Sequence, residues 1–465
     1  MFSVFDQGVR LCDGFSRREA LRVGGLSALG LSTSALKSPQ LQAGIASTPR
    51  SGKAKAVILF WLLGGPPQHE TWDPKPDAPE DVRGEFRAIQ TKIPGFHVGE
   101  LMPRSAEWVN DLAILRGVVS HDNAHSSSGY QMLTGVPHQP LTAENVTSKR
   151  PNLHPSLGAM VRKFMPENGG LPSSISLPYH IANDGEIVWP GQGAGFMGRN
   201  YDPWLIRCDP SRPDFKPPSI ALSKEMSSMR FAERKRLLSE LNSKMAALNG
   251  TNEVSAEAIY DDQAFDLLTE SRTRDAFRID KETKAVRESF GMSRFGQSCL
   301  LARRLVESGV KLVQVNWTRL KNAPNNGTWD THTVHGVSLR NHLMPIADQA
   351  FSGLLNDLKE RGMLEDTLVA WLGEFGHTPK FNKNAGRDHW GRCFSLALAG
   401  GGIQGGVVHG KSDKTASDPI EGKVQPMDIT ATILHCLGLP PSTEYFDDQG
   451  RPLPLSRGRV ITEIL

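Results

Sequence analysis

The sequence predicts an α/β protein built on a central, mostly parallel sheet, with helices on both faces and an inserted helical cap. Three observations lead there. Short runs of apolar residues recur without alternation, at 55–63, 112–119, 310–315, 367–372 and 394–399, and strands of that kind belong to a sheet covered on both sides. A helical pattern over 339–361 separates two of them, and a strand, helix, strand unit makes its strands parallel. Ligand-type side chains follow the strand ends, where open sheets of this class bind their ligands.

Composition sets the bounds. A chain of 465 residues is long enough for a large core, as one main domain or up to three smaller ones. Lys and Arg number 53 against 50 Asp and Glu, so no global charge draws the chain to nucleic acid or to an anionic membrane. A mean hydropathy of −0.34 is ordinary for a globular protein.

The amino terminus stands apart. Arg17-Arg18 precede a weakly apolar run, 23–35, too short to span a bilayer. We read residues 1–46 as a twin-arginine signal peptide and linker, with residues 47–465 as the folded domain, exported to the periplasm or another extracytoplasmic site. Cys208, Cys299, Cys393 and Cys436 remain after removal of the signal and contain no CxxC pair, so a cysteine zinc site is not expected, while one or two disulfides are allowed.

Taken in order, the run 55–63 is a buried first strand stopped by Gly64-Gly65-Pro66-Pro67. Glu70 and Asp73 follow, either as metal ligands or as carboxylates of a Pro-rich loop. The strand 112–119 leads to His125-Ser126-Ser127-Ser128 at the start of a helical stretch. A serine there can be a plain N-cap, and the same helix end can hold an anion. Residues 139–218 read as a loop-rich, substrate-side region. Its glycine run from 190 to 199 lacks the flanking strand and helix of a nucleotide fingerprint. Residues 219–291 have helical composition and form the inserted cap, and 296–308 is an amphipathic helix with Gly309 placed to end it. The strand 394–399 runs into Gly400-Gly401-Gly402, and 427–438 is a short closing helix.

Five of the 14 histidines fall within residues 328–390. Asp330, His332, Glu374, Asp388 and His389 lie there after strand ends, and carboxylate with imidazole suits a divalent cation. Zinc is the first choice, with Ca, Mg or Mn as alternatives. Each of the five could be an isolated polar loop residue; a common placement after strand ends argues for a shared centre, with Glu70 or Asp73 near it. His377 and Arg387 lie beside these motifs as substrate-binding candidates.

The motifs together resemble an exported bacterial family, domain of unknown function 1501, within the alkaline-phosphatase and sulfatase superfamily. The resemblance runs through the twin-arginine start, Gly64-Gly65-Pro66, 130–135, 295–310, 329–332, 373–379, 386–390 and 400–402. It implies an alkaline-phosphatase-like sandwich with one or two divalent metals at the carboxyl edge of the sheet. Asp330 and His332 then match one ligand motif with altered spacing, Glu374 takes the Asp slot after the central strand, and Asp388 with His389 matches the final His motif. Phe375 stands where a ligand would be. Two departures bear on chemistry. The first strand ends in Leu63-Gly64-Gly65 where the superfamily carries Asp. The sulfatase signature, aligned on Met132-Leu133-Thr134-Gly135, puts His125 in the nucleophile slot and Gly129 in the Arg slot, which excludes a formylglycine sulfatase.

The leading functional expectation is an exported, metal-dependent hydrolase of a sulfate or phosphate ester, polysaccharide esters among the candidates, with Ser126 or metal-bound water as nucleophile and His125 as base or nucleophile. The alternatives are a catalytically degenerate member that binds anionic glycan and a structural partner in a surface assembly.

Overall fold

The computed structural model describes residues 52–167, 171–215 and 271–465, with isolated positions between 233 and 244. The expected signal segment and, apart from those isolated positions, residues 219–270 of the expected cap lie outside the described residues.

Eight strands form the central sheet: β1 (Ala56–Trp61), β2 (Leu112–Val118), β3 (Ser174–Leu177), β4 (Trp204–Leu205), β5 (Leu312–Asn316), β6 (Thr367–Leu372), β7 (Phe394–Ala399) and β8 (Val407–His409). Their spatial order is β8-β2-β7-β6-β1-β5-β3-β4. β1 pairs in parallel with both β5 and β6, while β7 runs antiparallel to β6 and β2. The rest pair in parallel, so β7 alone is reversed in this mostly parallel sheet. All six residues of β1 are buried. Since successive side chains point to opposite faces, an unbroken buried run means that both faces are covered.

The principal helices are α1 (His125–Thr134), α2 (Leu157–Phe164), α3 (Arg294–Glu307), α4 (Met344–Glu360) and α5 (Pro426–Cys436). Phe60 of β1 meets Phe295 of α3 edge-on at 4.7 Å and Phe351 of α4 at 5.3 Å, and stacks on Trp371 of β6 at 5.2 Å. α3 begins two residues before its expected start because Ser293 caps it by accepting from Gly296 N. Among the described residues, no helix is long and apolar enough to cross a membrane.

Two expectations change. The region 139–218, expected to be loop-rich, supplies α2, the strand β3, paired on both sides, and the edge strand β4. β3 is only four residues long, and its serines are buried rather than turned to solvent, so polarity disguised a strand that is apolar on one side only. The four cysteines are free, so no disulfide joins them.

Candidate metal centre

The sheet brings four separated segments to one edge. β2 leads into His125, β5 leads through a loop to Asp330 and His332, and β6 leads to Glu374. His389 precedes β7, and because β7 is antiparallel its amino end lies at the carboxyl ends of its neighbours. The turn after β1 closes the floor. Gly64 has φ +107, and a Cβ there would run into the Asp330 backbone nitrogen. Its own N–H donates to Glu374 Oε1 at 2.8 Å, and Trp329 N donates to Leu63 O at 2.9 Å. The glycine that replaces the expected Asp is therefore the point where two strand ends touch.

Three imidazoles converge on Asp330. Its Oδ2 lies 3.2 Å from His125 Nε2, and its Oδ1 lies 2.8 Å from both His332 Nε2 and His389 Nε2. The His332 and His389 Nε2 atoms are 3.1 Å apart. Each ring is held by its other nitrogen: His125 Nδ1 by Glu374 Oε1 at 2.9 Å, His332 Nδ1 by Asp388 Oδ1 at 2.8 Å, and His389 Nδ1 by the Asn123 carbonyl at 2.7 Å. Anchoring Nδ1 in this way aims Nε2 and fixes the ring, as outer partners of metal-binding histidines do. Phe375, in the slot of a ligand, stacks on His389 at 4.3 Å and lies against His125 at 5.1 Å, while Trp189 stacks on His125 at 5.7 Å.

Burial works against charge on His125, but its bonds to Asp330 and Glu374 outweigh that and push its pKa up to about 10. Burial also opposes the Asp330 carboxylate, yet the three histidines hold it far below the usual range. The bond to Asp330 raises His332 as well.

The residues present fit a divalent cation. His125, Asp330 and His389 offer three ligand atoms within 4.8 Å of one another, and His332 Nε2 adds a fourth donor at the distances above. Buried Glu374 also keeps Oε2 without a partner, an unsatisfied anionic oxygen beside the donors.

The remaining expected site residues fall into other places. Glu374 and Asp388 hold imidazoles rather than joining the donors around Asp330. Glu70 is buried away from them, its Oε1 2.7 Å from Arg387 Nη2 and its Oε2 3.2 Å from His335 Nε2. Asp73 is bound to Lys75 and Arg116. Arg387 and His377 are fully buried, which removes them from direct substrate contact. Burial, first among the causes, lowers the His377 pKa well below the ordinary value. Ser126 Oγ donates to Glu144 Oε1 at 3.1 Å and accepts from Asn183, with no hydrogen bond to the donor cluster.

Neither Ser126 nor Ser127 caps α1. Asp122 accepts from Ala124 N at 3.0 Å, and Glu144 Oε2 accepts from His125 N at 2.7 Å, so a carboxylate of the chain occupies the helix end expected to meet an anion. Glu144→Ala should therefore cost about 0.5–2 kcal/mol, the range for loss of a cap, measured by urea unfolding; a change under about 0.3 kcal/mol would contradict the capping role.

A cavity of about 460 Å³ opens over the centre, and the side chains of Glu144, Asn145, Asn183, Asp184, Arg319 and Asn326 line it with the cluster. Sequence reasoning missed all six. They sit in irregular loops with no motif, and only the adjacent Asn183-Asp184 and Asn325-Asn326 pairs hinted at turns.

Solved structures similar to this chain include the PsFucS1 sulfatase from Pseudoalteromonas sp., at 16% identity and TM-score 0.39 over 93% of this chain and 73% of that one. The phosphonate monoester hydrolase SpPMH from Silicibacter pomeroyi is 15% identical, with TM-score 0.35 over 87% and 76%. The C-terminal periplasmic domain of EcEptC from Escherichia coli, in complex with Zn, is 10% identical, with TM-score 0.33 over 84% of each chain. At such identities and scores nothing of their activities passes to this chain. No curated protein matches it. One family model matches residues 54–465, nearly the whole described chain, and the protein therefore belongs to the family described as Protein of unknown function (DUF1501).

Proposed function

We propose that this protein is an exported, divalent-metal-dependent hydrolase of a sulfate or phosphate ester. The observation that carries the reading is the set of three imidazoles, each anchored at Nδ1 and aimed through Nε2 at Asp330, on the floor of an open cavity. Asp330, His332 and His389 are the closest-set donors, and we assign the cation to them. An imidazole-rich set favours zinc over Ca or Mg, which take oxygen ligands. When bound, such a cation polarises an ester oxygen and lowers the pKa of water. His125, 3.2 Å from Asp330 and backed by Glu374, is left to hold or deliver a proton at Nε2. With Ser126 turned to Glu144, the attacking group in this reading is water.

The test is metal content after purification without chelator, together with hydrolysis of aryl sulfate and aryl phosphate. The expected result is bound zinc, turnover abolished by a chelator and restored by Zn(II). Protein that takes up no cation, or turnover indifferent to chelation, would sink the proposal. His125→Ala should keep the cation and lose about 10²–10⁴-fold in rate, the scale of acid–base catalysis; loss of the cation instead would make His125 a ligand. The degenerate glycan-binding reading has one observation in its favour, the Glu144 carboxylate at the α1 terminus, and it predicts metal uptake without turnover.

Export rests on Arg17-Arg18 ahead of the weakly apolar run. In a reporter fusion, replacing both with Lys should retain the protein in the cytoplasm, and normal export of that variant would refute the route.

A further inference from the structure

Behind the donor cluster lies a second group of buried polar side chains: Glu70, Arg387, His335 and Thr331, each no more than 2% exposed. Two of its members are chain neighbours of the donor segments. In 330–332, Asp330 and His332 face the cavity while Thr331 turns back, its Oγ1 2.6 Å from His335 Nδ1. In 387–389, His389 faces Asp330 and Asp388 faces His332, while Arg387 turns back to Glu70. Glu70 is the hub: Arg387 donates to its Oε1, and His335 Nε2 lies 3.2 Å from its Oε2 without hydrogen-bond alignment. The two donor segments are also tied directly, since Arg387 N donates to Thr331 O at 3.1 Å and Asn382 Nδ2 donates to both His332 O and Asp388 Oδ1 at 3.0 Å. Arg387 further donates to the carbonyls of Thr378, Pro379 and Val82 and lies 4.0 Å over the Phe381 ring.

We infer that Glu70, Arg387, His335 and Thr331 are positioning residues, a buried clamp that sets the spacing between the Asp330–His332 and Asp388–His389 segments and hence the placement of the imidazoles around Asp330. Burying an ion pair returns little stability over an apolar pair of the same volume. What this pair does hold is geometry: the carboxylate meets Arg387 directly and reaches the 330–332 segment through His335 and Thr331. Val334, a β-branched residue at φ 41, turns the chain so that His332 faces the cavity and His335 faces Glu70; such backbone is costly for Val and persists only where its surroundings enforce it. The inference rests on the metal-centre reading for its consequence, but the geometry it asserts exists in the metal-free chain.

The experiment uses the full chain and Zn(II) alone as probe. Removing one charge would strand the other, so Glu70→Gln and Arg387→Met are combined, and Thr331→Val serves as a second variant that removes the hydroxyl link to His335 together with its long bond to the Trp329 carbonyl at 3.4 Å. In metal-free protein, the histidine side-chain ¹⁵N–¹H signals of His332 and His389 should shift in both variants, and Zn(II) affinity from chelator competition should fall about 10–100-fold, as for lost outer partners of a metal site. Folded variants with unchanged His332 and His389 signals and wild-type Zn(II) affinity overturn the inference. If the wild type itself takes up no Zn(II), the metal reading fails, and the metal-free histidine signals still decide the clamp. Should the double variant fail to fold, Thr331→Val alone carries the same decision.

Discussion

If the proposed metal centre is right, Asp330→Ala should abolish tight Zn(II) binding. The carboxylate is the one group that His125, His332 and His389 all address, and its removal leaves three imidazoles with no shared anion. Loss of an outer partner of a metal site weakens binding about 10–100-fold, and loss of the central carboxylate should exceed that. Zn(II) titration of the purified variant is the measurement, and affinity within about threefold of wild type would refute the centre as assigned. The same substitution also removes the group that favours charge on His125 and His332, so both rings should titrate at lower pH than in the metal-free wild type, which histidine NMR reads independently.

Gly64→Ala should be the most damaging small substitution near the site. A Cβ at position 64 would meet the Asp330 backbone nitrogen, and φ +107 is backbone that residues other than glycine rarely adopt. Backbone strain of about 1–3 kcal/mol combines with overpacking of about 1–3 kcal/mol, since neither β1 nor the 329–330 segment can retreat from a buried core. An expected loss of about 2–6 kcal/mol by chemical unfolding should come with weaker Zn(II) uptake, because the same contact places Asp330 and the Gly64 N–H anchors Glu374. A variant with wild-type stability and uptake would show that the turn after β1 has room, contrary to the packing described.

The two substitutions probe different parts of what could be read in advance. Asp330, His332 and His389 were legible because each follows or precedes an apolar strand run and carries a ligand-type side chain, so periodicity and residue type coincided. His125 was legible as the start of a helix after a strand, and α1 begins there. The runs at 55–63, 112–119, 310–315, 367–372 and 394–399 all became strands of the central sheet, as long buried runs do when both faces are covered. By contrast β3 escaped notice because it is four residues long with two serines, and β4 because two residues are too few to show a period. The cavity wall escaped because Asn and Asp in loops carry no periodic signal.

Local sequence thus determined the element types, the apolar strands and the segments that carry donors, since propensity and hydrophobic pattern act over a few residues. Only the tertiary structure decided how a donor-type residue is used. Glu374 and Asp388 hold rings, and Glu70, Arg387 and His377 lie buried behind the centre; each outcome depends on which way a side chain turns from its backbone and on what another segment, as many as 317 residues away, sets against it. The reversal of β7 between β6 and β2 decided that His389 would share an edge with Asp330, and pairing direction is set by how remote strands dock. A motif can name the residue types a metal centre needs, but distance and burial between remote segments assign their roles.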